Sequence, residues 1–130
     1  MGNDNNKHKE IGQGRCENSQ YIGKVVDVHI DRPLGSKHPE HGFEYLVNYG
    51  FIPNTMTEDD EELDAYVLGV DEPIKNFQGK VIAMIHRTSE IDDKLIVTDG
   101  QDFTDEQIRK FTHFQEQYFD SIIIRTPQMP

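Results

Sequence analysis

Residues 45–69 read YLVNYGFIPNTMTEDDEELDAYVLG: tyrosines and a Gly50 to Pro53 corner, then a run of acids, then an apolar run. The reading of the whole chain turns on this order. Asp59, Glu61 and Asp64 stand at i, i+2 and i+5, flanked by Glu58, Asp60 and Glu62. On an extended segment residues two apart share a face, so Asp59 and Glu61 can point the same way while Asp64, after Leu63 turns the chain, closes on them from the side. Carboxylates that converge without a cation either bind a hard metal or take up protons. Mg2+ is the natural guest, because it takes oxygen ligands and accepts a few carboxylates together with waters and phosphates. By composition alone the same run also reads as a solvated acidic loop. An EF-hand is excluded: counted from Asp59, the sixth residue is Asp64 rather than Gly and the twelfth is Val70 rather than Glu.

Outward from this stretch the pattern is that of short strands. Ile22, Lys24, Val26, Val28 and Ile30 share one face of a period-2 segment, and residues 43–47 read as a second strand entering the Tyr49 to Pro53 corner. Residues 65–70 are an apolar run of strand length, residues 80–87 a branched-rich strand, and residues 95–98 another. Turns are expected at residues 76–79 and 89–94. Five short strands at near-regular spacing favour a small barrel over a sandwich. Thr104 with Gln107 forms a capping box, and Ile108, Phe111, Phe114 or Gln115, and Tyr118 recur at helical spacing, which predicts roughly four turns of helix, ~15 residues. Residues 121–125 are a short last strand or apolar strap. The expected fold is thus mainly β, a small five-stranded OB-like barrel with one C-terminal α-helix.

The 130 residues, 35% hydrophobic, suit a single domain, expected over residues 21–126. Residues 1–20 hold one branched aliphatic, Ile11, and too little apolar surface to offset the entropy of ordering, so a polar disordered tail is expected there. The net charge of -11, from 24 acids against 13 Lys and Arg, argues against nucleic acid and anionic membrane as partners, which need basic patches. No apolar run approaches the ~20 residues of a membrane span. Cys16 is the only cysteine, so no internal disulfide forms, and a cytoplasmic location is the consistent expectation. The sequence leaves room for a homo-oligomer.

The order Tyr45, Asn48-Tyr49-Gly50-Phe51-Ile52-Pro53-Asn54-Thr55, then Asp59-x-Glu61-x-Leu63-Asp64, resembles the signature region of the family I soluble inorganic pyrophosphatases, and the likeness extends from about Val25 to Tyr118. That resemblance implies a Mg2+-dependent hydrolase acting on inorganic pyrophosphate. It implies Asp59, Glu61 and Asp64 as metal ligands, Glu61 also accepting a proton from the attacking water, with Tyr49 at the phosphate or water network and Tyr45 among the substrate contacts. Asp92 and Lys94 in Asp92-Asp93-Lys94 resemble a second family motif, which implies a further metal ligand and a phosphate contact. His113-Phe114-x-Glu116-x-Tyr118 resembles a helix segment that implies Tyr118 at the substrate. Arg32 and Lys37 compete for the family's basic phosphate contact.

Four departures from the family pattern stand out. Glu61 replaces an Asp, Phe119 replaces a lysine, the basic hairpin is shortened, and a further family acid falls at best on Glu90. Two other readings are compatible with the residues: a hydrolase of another diphosphate, made possible by the lost cationic contacts, and a catalytically inactive metal- or polyanion-binding relative. Covalent catalysis is not indicated, since no Ser is placed with a His and an acid in a recognisable pattern.

Overall fold

The computed structural model describes residues 18–55, 62–90 and 92–128. In β1 (Val25–Arg32), Val26, Val28 and Ile30 are buried and their neighbours are not, the outcome of the period-2 pattern. It is followed by β2 (Asn48–Ile52), β3 (Leu63–Val67), β4 (Asn76–Arg87), β5 (Asp92–Thr98), helix α1 (Asp105–Glu116) and β6 (Ser121–Ile124). The six strands make one sheet in the order β1-β2-β3-β5-β4-β6. An added pairing of β1 with β4 closes the first five into a ring and leaves β6 outside it. This is the mainly β, OB-like arrangement that the sequence predicts, with α1 as the expected C-terminal helix. The ring closes because β1 changes partner along its length: Val25 to His29 pair with β4, and His29 to Arg32 pair with β2 across an irregularity after Ile30.

Two cores follow from the alternation of side chains along the strands. One gathers Val26, Val28, Leu63, Ala65, Val67, Leu95 and Val97. The other takes Tyr66, Ile85 and Ile96 together with Ile108 and Phe114 of α1. Strands β3 and β5 are therefore buried on both faces, and so lack a period-2 signature. The capping box of α1 forms as expected, with Thr104 and Gln107 bonded reciprocally. The helix has 12 residues and stops at Glu116, short of the four turns expected, so Tyr118 lies beyond it and is 63% exposed.

Several boundaries differ from the expectation. The second strand is not residues 43–47 but the Asn48–Ile52 corner itself; of the earlier segment only Glu44 pairs, in an isolated bridge to Lys37. Residues 76–79 are not a turn but the first part of β4, and Gly79 is there because a side chain would meet the Thr98 carbonyl and the Phe77 ring. Asp92 to Lys94 do not turn either: they open β5, paired to Arg87, His86 and Ile85. The third strand begins earlier, at Leu63, and ends at Val67. Residues 18–20, expected in the tail, belong to the folded body, since Ser19 is fully buried and Asn18 Nδ2 donates to Asp93 Oδ2 at 2.8 Å. Among the described residues no helix is long and apolar enough to cross a membrane.

The NYGFIPNT segment is legible position by position. Buried Asn48 accepts from the Leu34 and Ile74 amides and donates to the Glu72 carbonyl, tying two loops to β2. Asn54 takes a left-handed φ of 66°, which Asn tolerates better than most residues. The Thr55 hydroxyl accepts from the Leu63 amide at 2.9 Å and so joins the two ends of the acidic segment. Gly50 pairs with Ile30, and a Cβ there would collide with the His29 carbonyl and the Ile30 backbone. Because backbone cannot yield as a side-chain tip can, Gly50→Ala is expected to cost about 3 kcal/mol, read as a fall in Tm of roughly 10 °C. An unchanged Tm would mean that β1 and β2 are not held this closely.

Candidate functional site

Strand register assembles the polar site. The parallel pairing of β3 with β5 sets Asp64 against Lys94, and the antiparallel pairing of β4 with β5 sets Arg87 against Asp92. Asp92 and Lys94, two apart on one strand, share a face, so four charges meet. Lys94 Nζ lies 2.6 Å from Asp64 Oδ2 and 3.2 Å from Asp92 Oδ1. Arg87 Nη1 lies 2.9 Å from Asp92 Oδ2. From α1, Glu116 completes the array, accepting from Arg87 Nε at 3.1 Å and from Nη2 at 2.7 Å.

The array continues into the core as a line of hydrogen bonds. The Tyr66 hydroxyl donates to Glu116 Oε2 at 2.6 Å, Gln115 Nε2 donates to the Tyr66 oxygen at 2.7 Å, and the Tyr45 hydroxyl donates to Gln115 Oε1 at 2.9 Å. Every buried polar atom in this line has a partner, the condition under which a buried network rigidifies its surroundings. Burial works against the charge on Arg87, but the hydrogen bonds and carboxylate of Glu116 outweigh it and raise its pKa. Burial, then the adjacent Asp64 carboxylate, pushes the Tyr49 phenol well above its usual range. Tyr49 is therefore a neutral hydroxyl at physiological pH, and the Lys94 ammonium lies 5.7 Å from its ring centroid. Burial raises Asp92 as well, opposed by Lys94 and Arg87.

These groups open onto a cleft of about 660 Å³ whose lining includes Arg32, Tyr45, Tyr49, Asp64, Lys94 and Tyr118. Six of the residues singled out in the sequence thus share one cleft, and Asp92 meets it through Lys94 and Arg87. Lys37 does not line it; the side chain is exposed on the loop bridged to Glu44. Asp59 and Glu61 lie outside the described residues. One side of the cleft is aromatic, with Phe43 stacked on Tyr118 at 6.0 Å and His41 on Phe43 at 6.2 Å between ring centroids.

A family model described as inorganic pyrophosphatase matches residues 15–124. The chain is 38% identical over 123 residues to an inorganic pyrophosphatase of Streptomyces coelicolor, covering 89% of this chain and 69% of that protein. It is 31% identical over 98 residues to one of Haemophilus influenzae, covering 72% of this chain and 52% of that protein. The chain belongs to the inorganic pyrophosphatase family. It spans about half the length of the Haemophilus relative. In fold it is similar to the inorganic pyrophosphatase of Ehrlichia chaffeensis, with TM-score 0.63 at 18% identity over 82% of this chain and 88% of that one. The Helicobacter pylori inorganic pyrophosphatase gives TM-score 0.61 at 19% identity over 81% and 86%.

Asp64 and Asp92 converge on one ammonium, with side chains 34% and 26% exposed. Two carboxylates open to a cleft are the protein share that Mg2+ commonly takes, the remainder being water and phosphate. The donor set therefore fits one such ion. Among the described residues there is no group of three or more His, Cys, Asp or Glu that could hold a metal.

Sequence reading of the family motifs missed Arg87, Gln115 and Glu116 as site residues. Arg87 ends the apolar run KVIAMIHR, and a buried charge at the end of such a strand was the available signal. Its guanidinium lies 3.6 Å from the ring centroid of Phe119.

Proposed function

We propose that the protein hydrolyses inorganic diphosphate to two phosphates with Mg2+ as cofactor. The observation that carries this reading is Lys94 bridging Asp64 and Asp92 at a cleft, in a chain of the inorganic pyrophosphatase family. Charge counting supports the metal: Lys94 and Arg87 face Asp64, Asp92 and Glu116, and a multiply charged anion entering such a cleft needs added positive charge. Asp64 and Asp92, joined by Asp59 and Glu61, would hold the ion. Bound there, Mg2+ would lower the pKa of a water and neutralise charge on the phosphates.

The protein's own groups supply the rest of the chemistry. The Glu61 carboxylate accepts the proton of the attacking water. Tyr49, held neutral, donates its hydroxyl to a phosphate oxygen or to that water. Lys94, Arg32, Tyr45 and Tyr118 orient the substrate, and positioning with charge stabilisation is most of what phosphoryl transfer asks of a protein. Phosphate release from inorganic diphosphate, followed with and without Mg2+, tests the reading, and no release under either condition removes it.

Lys94→Ala separates the two roles on the cleft floor. Loss of a charge-assisted phosphate contact is expected to raise KM by about tenfold or more. Mg2+ binding without substrate should be no weaker, because Asp64 and Asp92 lose the cation that competes for them. A large drop in Mg2+ affinity would mean that Lys94 organises the carboxylates rather than the substrate. The aromatic side of the cleft favours a second reading, hydrolysis of a diphosphate ester carrying a planar group, which parallel rate measurements on inorganic diphosphate and nucleoside diphosphates distinguish.

A further inference from the structure

Arg87 has more hydrogen-bonding capacity than its ion pairs use. Of the five N–H donors of a guanidinium, Nε and one N–H of Nη2 go to Glu116, and one N–H of Nη1 goes to Asp92. Among the described residues this leaves one donor on each terminal nitrogen without a hydrogen bond. The guanidinium is planar, and the Phe119 ring at 3.6 Å closes one of its faces, so the remaining donors are held in a fixed plane. Arg87 lines the cleft, as does Lys94. The two cations take opposite oxygens of the Asp92 carboxylate, Arg87 on Oδ2 and Lys94 on Oδ1. One carboxylate therefore sets the spacing of two anion-binding points.

That arrangement matches a ligand with two linked phosphoryl groups. We propose that Arg87 is a second oxyanion subsite of the cleft, taking one phosphoryl group of a diphosphate while Lys94 takes the other. The assignment rests on the diphosphatase reading for its substrate class but concerns binding. A purely structural ion pair would be served by Glu116 alone, which already engages Arg87 through two hydrogen bonds; Glu90 Oε1, 3.8 Å from Nη1, is beyond hydrogen-bond reach, and two donors left without a hydrogen bond on a residue that lines the cleft are what a structural role leaves unexplained. Arg suits the task because its fork meets phosphate oxygens in a fixed geometry that Lys cannot reproduce.

The test is calorimetric titration with methylenediphosphonate and, separately, inorganic phosphate, both with Mg2+ present. The proteins are the wild type, Arg87→Lys and the paired variant Arg87→Met with Glu116→Gln, each checked for a cooperative melt. Diphosphonate affinity is expected to fall about 10- to 100-fold in both variants, and phosphate affinity to fall less, since Lys94 still holds a single phosphoryl group. Unchanged diphosphonate binding in a folded variant overturns the subsite. An equal loss for both ligands overturns it too, because it would mark general damage to the cleft, as does a wild type that binds no diphosphonate. If the paired variant does not fold, Arg87→Lys decides alone. A wild type that binds diphosphonate through Arg87 yet releases no phosphate from diphosphate would sink the hydrolytic reading and leave the subsite standing.

Discussion

Asp64→Asn is expected to lower Mg2+-dependent hydrolysis of inorganic diphosphate by about 10²- to 10³-fold, the size of effect seen when one charge-stabilising group leaves an active site. Stability should hardly change. Asp64 is partly exposed, and its neighbours Leu63 and Ala65, nearly or wholly inaccessible to solvent, anchor β3 independently of it. Its partner Lys94 retains Asp92 at 3.2 Å, so no ammonium is left buried alone, and Asn can still accept a hydrogen bond. A half-exposed ion pair contributes on the order of 1 kcal/mol or less. The measurements are phosphate release, Tm, and Mg2+ titration without substrate, which should weaken. Full activity in the variant would remove Asp64 from the chemistry, and a collapse of Tm would show that the residue holds the fold instead.

Part of what could be read from the sequence is decided locally: Asn54 and Thr55 answer demands of near neighbours, a left-handed turn and a loop tie. The alternation in β1 and the Thr104 cap of α1 are equally local. Asn48 and Gly50 answer distant demands, a clamp on the Leu34 and Ile74 amides and a close approach of the β1 backbone, and were legible only as members of the Asn48 to Thr55 string. The extended start of β5 was hidden because Asp92-Asp93-Lys94 has turn composition; cross-strand pairing to Arg87, His86 and Ile85 overrides that preference. Asp64 facing Lys94 depends on the register of a parallel pair, which no hairpin turn specifies. Arg87 and Glu116 are 29 residues apart and meet only because α1 packs its buried face on the ring. The charges that complete the site are thus the ones tertiary packing delivers.

That packing makes Arg87 and Glu116 unequal partners, and Arg87→Met is expected to lower stability by about 3–5 kcal/mol. Both side chains are 6% exposed. Among the described residues, removing the cation leaves Glu116 buried with only the Tyr66 hydroxyl donating to it, while Asp92, 26% exposed, keeps Lys94. The cost therefore comes from an orphaned carboxylate, not from loss of favourable pairing, since a buried ion pair is worth little over well-packed apolar groups. Glu116→Gln should cost less, about 1–3 kcal/mol, because Arg87 retains Asp92 and the amide oxygen still accepts. Combining the two removes the orphan, so Arg87→Met with Glu116→Gln should be more stable than Arg87→Met alone. Urea unfolding of all four proteins gives the cycle. A double variant no better than the single would mean that Arg87 stabilises through its stack on Phe119 and its reach to Asp92, with Glu116 a bystander.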